Sequence, residues 1–171
     1  LRTRRPPGST RLPYTTLFRS AEQFPINEGA HKISHEENMV TGLRLLSEAG
    51  VTTLYDAGNF GFDDLVFGFM ARLEKEGKLP VRYEGTYQIF TPERVHLSIS
   101  EMRQYRREYG GDRLRFNTIK LFMDGINQNR SIGLLEPHVD DPDYVGDTML
   151  TVGELRDFLL EISRAQFDIH S

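Results

Sequence analysis

The chain has 171 residues, a formal net charge of −4, 38% hydrophobic residues and no cysteine, so it holds no disulfide and no thiolate metal site. No apolar run is long enough to span a bilayer. Five arginines and no acidic residue fall among residues 1–20, so residues 21–171 carry about −9, a balance that argues against nucleic acid or an anionic membrane as partner.

Residues 1–20, LRTRRPPGSTRLPYTTLFRS, have neither the apolar stretch of a secretion signal nor a helical stripe. They resemble translated sequencing adapter at the head of an environmental open reading frame, most of all in Pro13 to Ser20, and are expected to be a non-native, disordered leader. A basic nucleic-acid-binding arm is the alternative. Residues 21–171 form the unit of interest, expected to be soluble and cytoplasmic.

From there helix and strand signals alternate. Ser34-His35-Glu36-Glu37 has the spacing of a capping box, Met39, Leu43, Leu46 and Ala49 follow at helical intervals, and Gly50 stops the helix. Val51 to Tyr55 reads as a short strand ending at Asp56-Ala57-Gly58. Asp63 to Glu76 reads as an amphipathic helix with Leu65, Phe69 and Leu73 inward. Pro80 to Phe90 is the next strand. Thr91-Pro92 opens a third helix that runs to Gly110-Gly111. Arg115 to Met123 is the third strand, followed by a loop of about 25 residues, far longer than the usual βα connection and of a length that usually carries function. Thr151-Val152-Gly153-Glu154 is a second capping box opening a fourth helix, and Phe167 to His170 begins a fourth strand. The order α(βα)₃β implies parallel crossovers, in an open doubly wound sheet or in part of a (β/α)₈ barrel. A complete barrel needs roughly 250 residues, so the expectation is an internal fragment of a TIM barrel, approximately strands two to five.

One lysine stands out. Alternation in the third strand puts Thr118, Lys120, Phe122 and Asp124 on one face and Ile119, Leu121 and Met123 on the other. Burial lowers a lysine's pKa and frees its amine as a nucleophile towards carbonyl carbon or carbon dioxide. A lysine snorkelling from an edge, or paired with a carboxylate, is the bland counterpart.

Five segments carry a resemblance: Gly50-Val51-Thr52-Thr53-Leu54-Tyr55-Asp56-Ala57-Gly58, Glu76-Gly77-Lys78-Leu79-Pro80-Val81-Arg82, Ile119-Lys120-Leu121-Phe122-Met123-Asp124-Gly125, Leu135-Glu136-Pro137-His138, and Ile169-His170. In this order they resemble the metal-dependent amidohydrolases of family 3, the branch that includes N-substituted formamide deformylases, over Glu36 to Ser171. The resemblance implies a (β/α)₈ barrel that hydrolyses small amide, N-acyl or formamide substrates with one or two divalent metal ions, zinc being the expected metal. It implies that Lys120, on the family's fourth strand, is carboxylated and bridges metal ions, and that His170, ending the fifth, is a metal ligand. The family's His-x-His pair, its strand-six histidine and its strand-eight aspartate, the general base, have no counterpart here, so no catalytic base is assigned. His138 stands where a tyrosine is usual, and Ser171 precedes a lost Gly-Asp.

Weaker candidates for substrate contact are Asp56, Asn59, Asp124 and His138. Asp56 and Asn59 read equally well as cap or turn residues, and Asp124-Gly125 as a turn after a strand. Glu84 and Gln88 share a strand face with Arg82 and Thr86, as a lumen layer or an ion cluster. With Ser34 as cap, His31 falls outside the helix and cannot pair with His35. His96 reads as a surface residue. A doubly wound binding domain and a metal-free barrel remnant are the rival readings.

Overall fold

The computed structural model describes residues 30–126, 130–139 and 141–171. The expected leader, residues 1–20, lies outside them. Helix α1 (Ala30–Glu48) is followed by β1 (Thr53–Tyr55), α2 (Asp63–Lys75), β2 (Arg82–Ile89), a 3₁₀ segment (Pro92–Leu97), α3 (Ser98–Glu108), β3 (Leu114–Leu121), α4 (Val152–Arg164) and β4 (Asp168–His170). No helix among the described residues is long and apolar enough to cross a membrane.

The four strands form one sheet in the order β1-β2-β3-β4, and each neighbouring pair is parallel. A doubly wound sheet reverses direction at a switch point. This order does not reverse, and right-handed crossovers that all step the same way place every helix on one face. Phe67 of α2, Met102 and Tyr105 of α3, and Phe158 and Ile162 of α4 accordingly share one buried core with Tyr87, Ile89, Ile119 and Leu121 of the sheet. The opposite face is concave. Tyr55 on β1 and His170 on β4, three strands apart, meet at 2.9 Å, whereas strands about 4.8 Å apart in a flat sheet would hold them roughly 14 Å from each other. The sheet is therefore a curled half-barrel.

A bulge sets the phase of β3. Glu84 pairs with Arg115 but Thr86 pairs with Thr118, so two residues of β3, Phe116 and Asn117, stand against Gly85 alone. Leu114 and Phe116 point to the helices and are buried; beyond the bulge it is Ile119 and Leu121 that do so. Uninterrupted alternation from Leu114 would have turned Lys120 into the helical core. The bulge turns it to the concave face instead. Its spare N–H, on Asn117, donates to the Glu84 carboxylate at 2.6 Å, the Asn117 side-chain amide donates to the other carboxylate oxygen at 3.2 Å, and Arg106 of α3 donates to the Phe116 carbonyl at 2.7 Å. Position 85 must be glycine because a Cβ there would overlap the rings of Phe116 and Phe67.

Several elements depart from expectation. Helix α1 starts at Ala30, so Ser34 is not its cap and His31 and His35 both lie within it. In α2 the buried apolar positions are Phe67, Phe69, Met70 and Leu73, while Leu65 is 43% exposed. It lies two residues before Phe67, about 200° around the helix from it. The third helix breaks into the 3₁₀ segment and α3, and β3 ends at Leu121, short of Met123 and Asp124. The Thr151–Glu154 capping box forms in full, each residue's side chain accepting from the other's backbone N–H.

Because the Glu84 carboxylate satisfies an N–H that no strand neighbour can reach, Glu84→Ala should cost about 1–3 kcal/mol. Urea unfolding should show the loss, and hydrogen exchange should show lost protection at the Asn117 amide. An unchanged unfolding midpoint and unchanged exchange would mean that the bulge holds itself.

Candidate functional site

The concave face is lined by residues that strand register places side by side. Tyr55 lies opposite Glu84, Thr86 opposite Thr118, Gln88 opposite Lys120, and Lys120 opposite His170. Lys120 and His170, fifty residues apart in the chain, are thus direct neighbours at the C-terminal ends of adjacent parallel strands. The Lys120 ammonium lies 4.9 Å from the centroid of the Phe122 ring, and partial burial holds its pKa below the ordinary lysine value. Among the described residues it has no carboxylate partner: the ion pairs there join Arg44 to Glu48, Arg72 to Glu36 and Lys78 to Glu76.

His170 is held through one ring nitrogen. Its Nδ1 is 2.9 Å from the Tyr55 hydroxyl, and the phenol ring meets the imidazole edge-on with centroids 5.1 Å apart. Burial, followed by the charges of Glu84 and Asp56, pushes the Tyr55 phenol up to about 12, so it keeps its proton at neutral pH.

The weaker candidates are occupied by structural contacts. Asp56 accepts from the Gly58 N–H at 2.9 Å, the Asn59 side chain at 2.6 Å and the Tyr83 hydroxyl at 2.6 Å. Asp56 and Asn59 therefore shape the turn that leaves β1. Asp124 accepts from the Gly133 N–H at 3.0 Å and fixes the long loop to the end of β3. Farther along that loop the His138 ring stacks on Tyr144, with centroids 5.6 Å apart. Its buried Nε2 has no hydrogen-bond partner among the described residues. Neither Asp124 nor His138 bonds to Lys120 or His170.

Sequence reading missed Tyr55 and Asp63 as participants and placed Gln88 only in a lumen layer or an ion cluster. Tyr55 was seen only as the end of a strand. Gln88, buried on the concave face, accepts from the Phe60 N–H at 2.9 Å and donates to Asp63 at 3.1 Å, which ties the β1–α2 loop to the sheet. Asp63, at the start of α2, is buried, and burial, partly offset by Arg94, raises its pKa to about 6. A signal existed in Gln88, a polar residue set between Tyr87 and Ile89 in a strand; nothing in sequence marks Asp63 as other than a helix-start acid.

A divalent metal can be tested against this donor set. Among the described residues no three His, Cys, Asp or Glu side chains converge. Lys120 and His170 could supply two ligands, the lysine only after conversion to an anion, and a zinc site needs three or four protein ligands. The pair fits part of such a site.

No protein-family model matches the chain. A curated relative, the exoenzymes regulatory protein AepA of Pectobacterium carotovorum subsp. carotovorum, is 27% identical over 128 residues, which are 75% of this chain and 27% of AepA. Two solved structures, both of uncharacterized metal-dependent hydrolases, share the fold. The one from Pyrococcus horikoshii OT3 has a TM-score of 0.54 at 19% identity, over 81% of this chain and 27% of its own. The one from Pyrococcus furiosus has a TM-score of 0.59 at 18% identity, over 97% of this chain and 34% of its own. The chain thus spans about a third or less of the length of the proteins it resembles, and its half-barrel shares its fold with part of each of these two structures.

Asp63 generates a pH prediction. A carboxyl whose folded pKa is about 6 against an ordinary 3.8 binds a proton more readily when folded. Its favourable contribution is complete below about pH 4 and is lost as pH rises through 6. Asp63→Asn should remove a dependence of about 2–3 kcal/mol across that window. The measurement is the difference between wild-type and variant unfolding free energies from pH 4 to pH 7, and a flat difference would show that Asp63 titrates normally.

Proposed function

We propose that the chain is part of a metal-dependent hydrolase of the amidohydrolase type, which cleaves carbon–nitrogen bonds in small amide, N-acyl or formamide substrates, with Lys120 and His170 as two of its zinc ligands. The observation that carries this reading is the register pairing of Lys120 with His170 on the concave face, with a lysine amine that burial has made less basic and that no carboxylate among the described residues neutralises. Pairing with a carboxylate was the bland account of this lysine, and none of the ion pairs among the described residues involves it.

The chemistry of the residues follows. A less basic lysine has more of its amine neutral near pH 7. The neutral amine can add to carbon dioxide, forming an N–C bond and releasing a proton, so that a cation becomes a carbamate anion with two oxygen donors. The neighbouring imidazole, when neutral, offers a nitrogen donor at the same strand-end level. A divalent metal in such a site supplies an acidified water and polarises a carbonyl oxygen. Asp124 would hold the long loop in place beside the site, with His138 farther out as a substrate contact. Asp56 and Asn59 would shape the rim at β1. The substrate is a small molecule, with neither nucleic acid nor membrane as partner.

The name of the curated relative, a regulatory protein, favours as a second reading a metal-free barrel that acts by binding. One experiment separates the two. The chain incubated with ¹³C-bicarbonate and zinc should show a carbamate carbon and bind zinc measurably at equilibrium, more weakly than a site of three or four protein ligands. Lys120→Ala should abolish the carbamate signal and reduce bound zinc to background, and short carboxylic acids should restore part of the zinc by replacing the lost oxyanion. Equal zinc in both proteins and no carbamate carbon would make Lys120 a structural lysine.

A further inference from the structure

We infer that Arg94 is an anion-binding residue at the C-terminal rim of the half-barrel, where its guanidinium fork holds a carboxylate of the substrate. That the anion belongs to a substrate rests on the function proposed above; that Arg94 binds a carboxylate does not.

The sheet dictates where Arg94 goes. In β2 the Glu84 carbonyl accepts from Asp56 on the β1 side and the Ile89 carbonyl accepts from Phe122 on the β3 side, so alternation turns the Gln88 carbonyl towards β1. Strand β1 pairs only with Arg82, Tyr83 and Glu84 and has ended at that level. Arg94, in the 3₁₀ segment that follows β2, takes the vacant place and donates to the Gln88 carbonyl through Nε at 2.7 Å. The guanidinium carbon also lies 4.5 Å from the centroid of the Tyr87 ring and 4.7 Å from that of Phe90. Three contacts thus fix the plane of a side chain that is otherwise rich in rotamers.

The outer edge of the guanidinium is left unused. Among the described residues neither Nη nitrogen has a hydrogen-bond partner, neither is shut off from solvent, and no ion pair includes Arg94. Asp63, a buried acid that feels the Arg94 charge, is bonded instead to the Gln88 side chain. Parallel N–H donors in one plane match the two oxygens of a carboxylate, and this is the strong form of arginine recognition. One guanidinium balances one negative charge, which fits a carboxylate better than a phosphate dianion.

A row of rings joins this point to Lys120. Phe90 meets Phe60 with centroids 6.2 Å apart, Phe60 meets Phe122 at 5.8 Å, and the Lys120 ammonium lies 4.9 Å from the Phe122 centroid. Phe60 keeps its place in the row at φ +48°, a left-handed backbone that is costly for a bulky residue, and its N–H donates to the Gln88 side chain. Gln88 therefore holds both parts, Arg94 through its carbonyl and Phe60 through its amide oxygen. Phe60 and Phe122 are half-buried, so the row has an open side. A substrate whose carboxylate rests on Arg94 would lay its apolar part against these rings, with its amide towards Lys120 and His170.

The test uses the metal-free chain with ¹⁵N-labelled arginine and three probes: N-acetylphenylalanine, its neutral amide N-acetylphenylalaninamide, and inorganic phosphate. N-acetylphenylalanine should shift the Arg94 Nη signals and saturate. The neutral amide lacks only the charge and should bind about tenfold more weakly. Arg94→Lys keeps the charge without the fork and should bind N-acetylphenylalanine about tenfold more weakly than wild type. Equal binding of acid and amide by wild type overturns the proposal without reference to any variant. So does phosphate binding more tightly than the carboxylate, and so does a folded Arg94→Lys chain with unchanged affinity. If the chain takes up no zinc yet binds N-acetylphenylalanine through Arg94, the hydrolase reading fails and the carboxylate site stands.

Discussion

The hydrogen bond between the Glu84 carboxylate and the backbone N–H of Asn117 is the constraint on which the arrangement of the site depends. A parallel ladder has no partner for an extra residue, and the bulge in β3 leaves one N–H without a neighbour. Glu84 supplies the acceptor from the adjacent strand, and Arg106 secures the displaced Phe116 carbonyl from the helical side. The stacking of the Arg106 guanidinium on Phe167, 4.1 Å from the ring centroid, extends this clamp to the segment that enters β4. The bulge is therefore bound on both faces of the sheet. Because side-chain direction has a period of two, a single inserted residue moves everything after it to the opposite face. Thr118 and Lys120 owe their place on the concave face to that insertion, as Ile119 and Leu121 owe theirs in the core.

The apolar core and the polar face make different demands. On the helical side, Phe67, Tyr105 and Phe116 meet in a cluster of edge-on and tilted rings with centroids 4.8 to 5.6 Å apart, geometry that adds attraction beyond the area buried. Gly85 is the space that lets Phe116 and Phe67 enter. On the concave side most groups are polar, and Glu84, Thr86, Gln88 and Tyr55 are held by specific hydrogen bonds. Gln88 grips the β1–α2 loop, Thr86 donates to the Asp56 carbonyl at 2.7 Å, and Tyr55 reaches His170. Such a face is stable only when its polar groups are satisfied, and among the described residues the Lys120 amine has no ion-pair partner.

Much of the architecture was legible because helix and strand periods differ and because punctuation was strong. The Thr151–Glu154 box forms as written, and Gly77, at φ +68°, ends α2 as only a residue tolerant of that angle readily can. The barrel order was expected from length and not from the alternation of elements, which doubly wound and barrel sheets share; it is long-range register that distinguishes them. The bulge left a trace in Leu114-Arg115-Phe116-Asn117-Thr118-Ile119, where the apolar spacing slips from two to three. Leu65 misled because it is apolar yet lies on the outer side of α2, a helix that needs only one face buried. The neighbourhood of Lys120 and His170 depended on the pairing of β3 with β4, whereas the engagement of Asp56 by Tyr83 and of Tyr55 by His170 crosses strands that sequence alone cannot juxtapose.

What remains is a question of charge. Lys120 is the register partner of His170 and its amine lies against the Phe122 ring, while the acid at the bulge, Glu84, is engaged by two donors from Asn117. An aromatic face offsets about 0.5–2 kcal/mol of the cost of desolvating an ammonium, less than a direct carboxylate partner could. The sheet gives hydrogen-bond partners to Glu84, Gln88, Thr86 and Tyr55, and among the described residues it gives the Lys120 amine no carboxylate. Loss of the charge through carbamate formation, or an anion brought by substrate, resolves the same deficit. Of these, only the carbamate also turns the lysine into a ligand that can act together with the imidazole next to it.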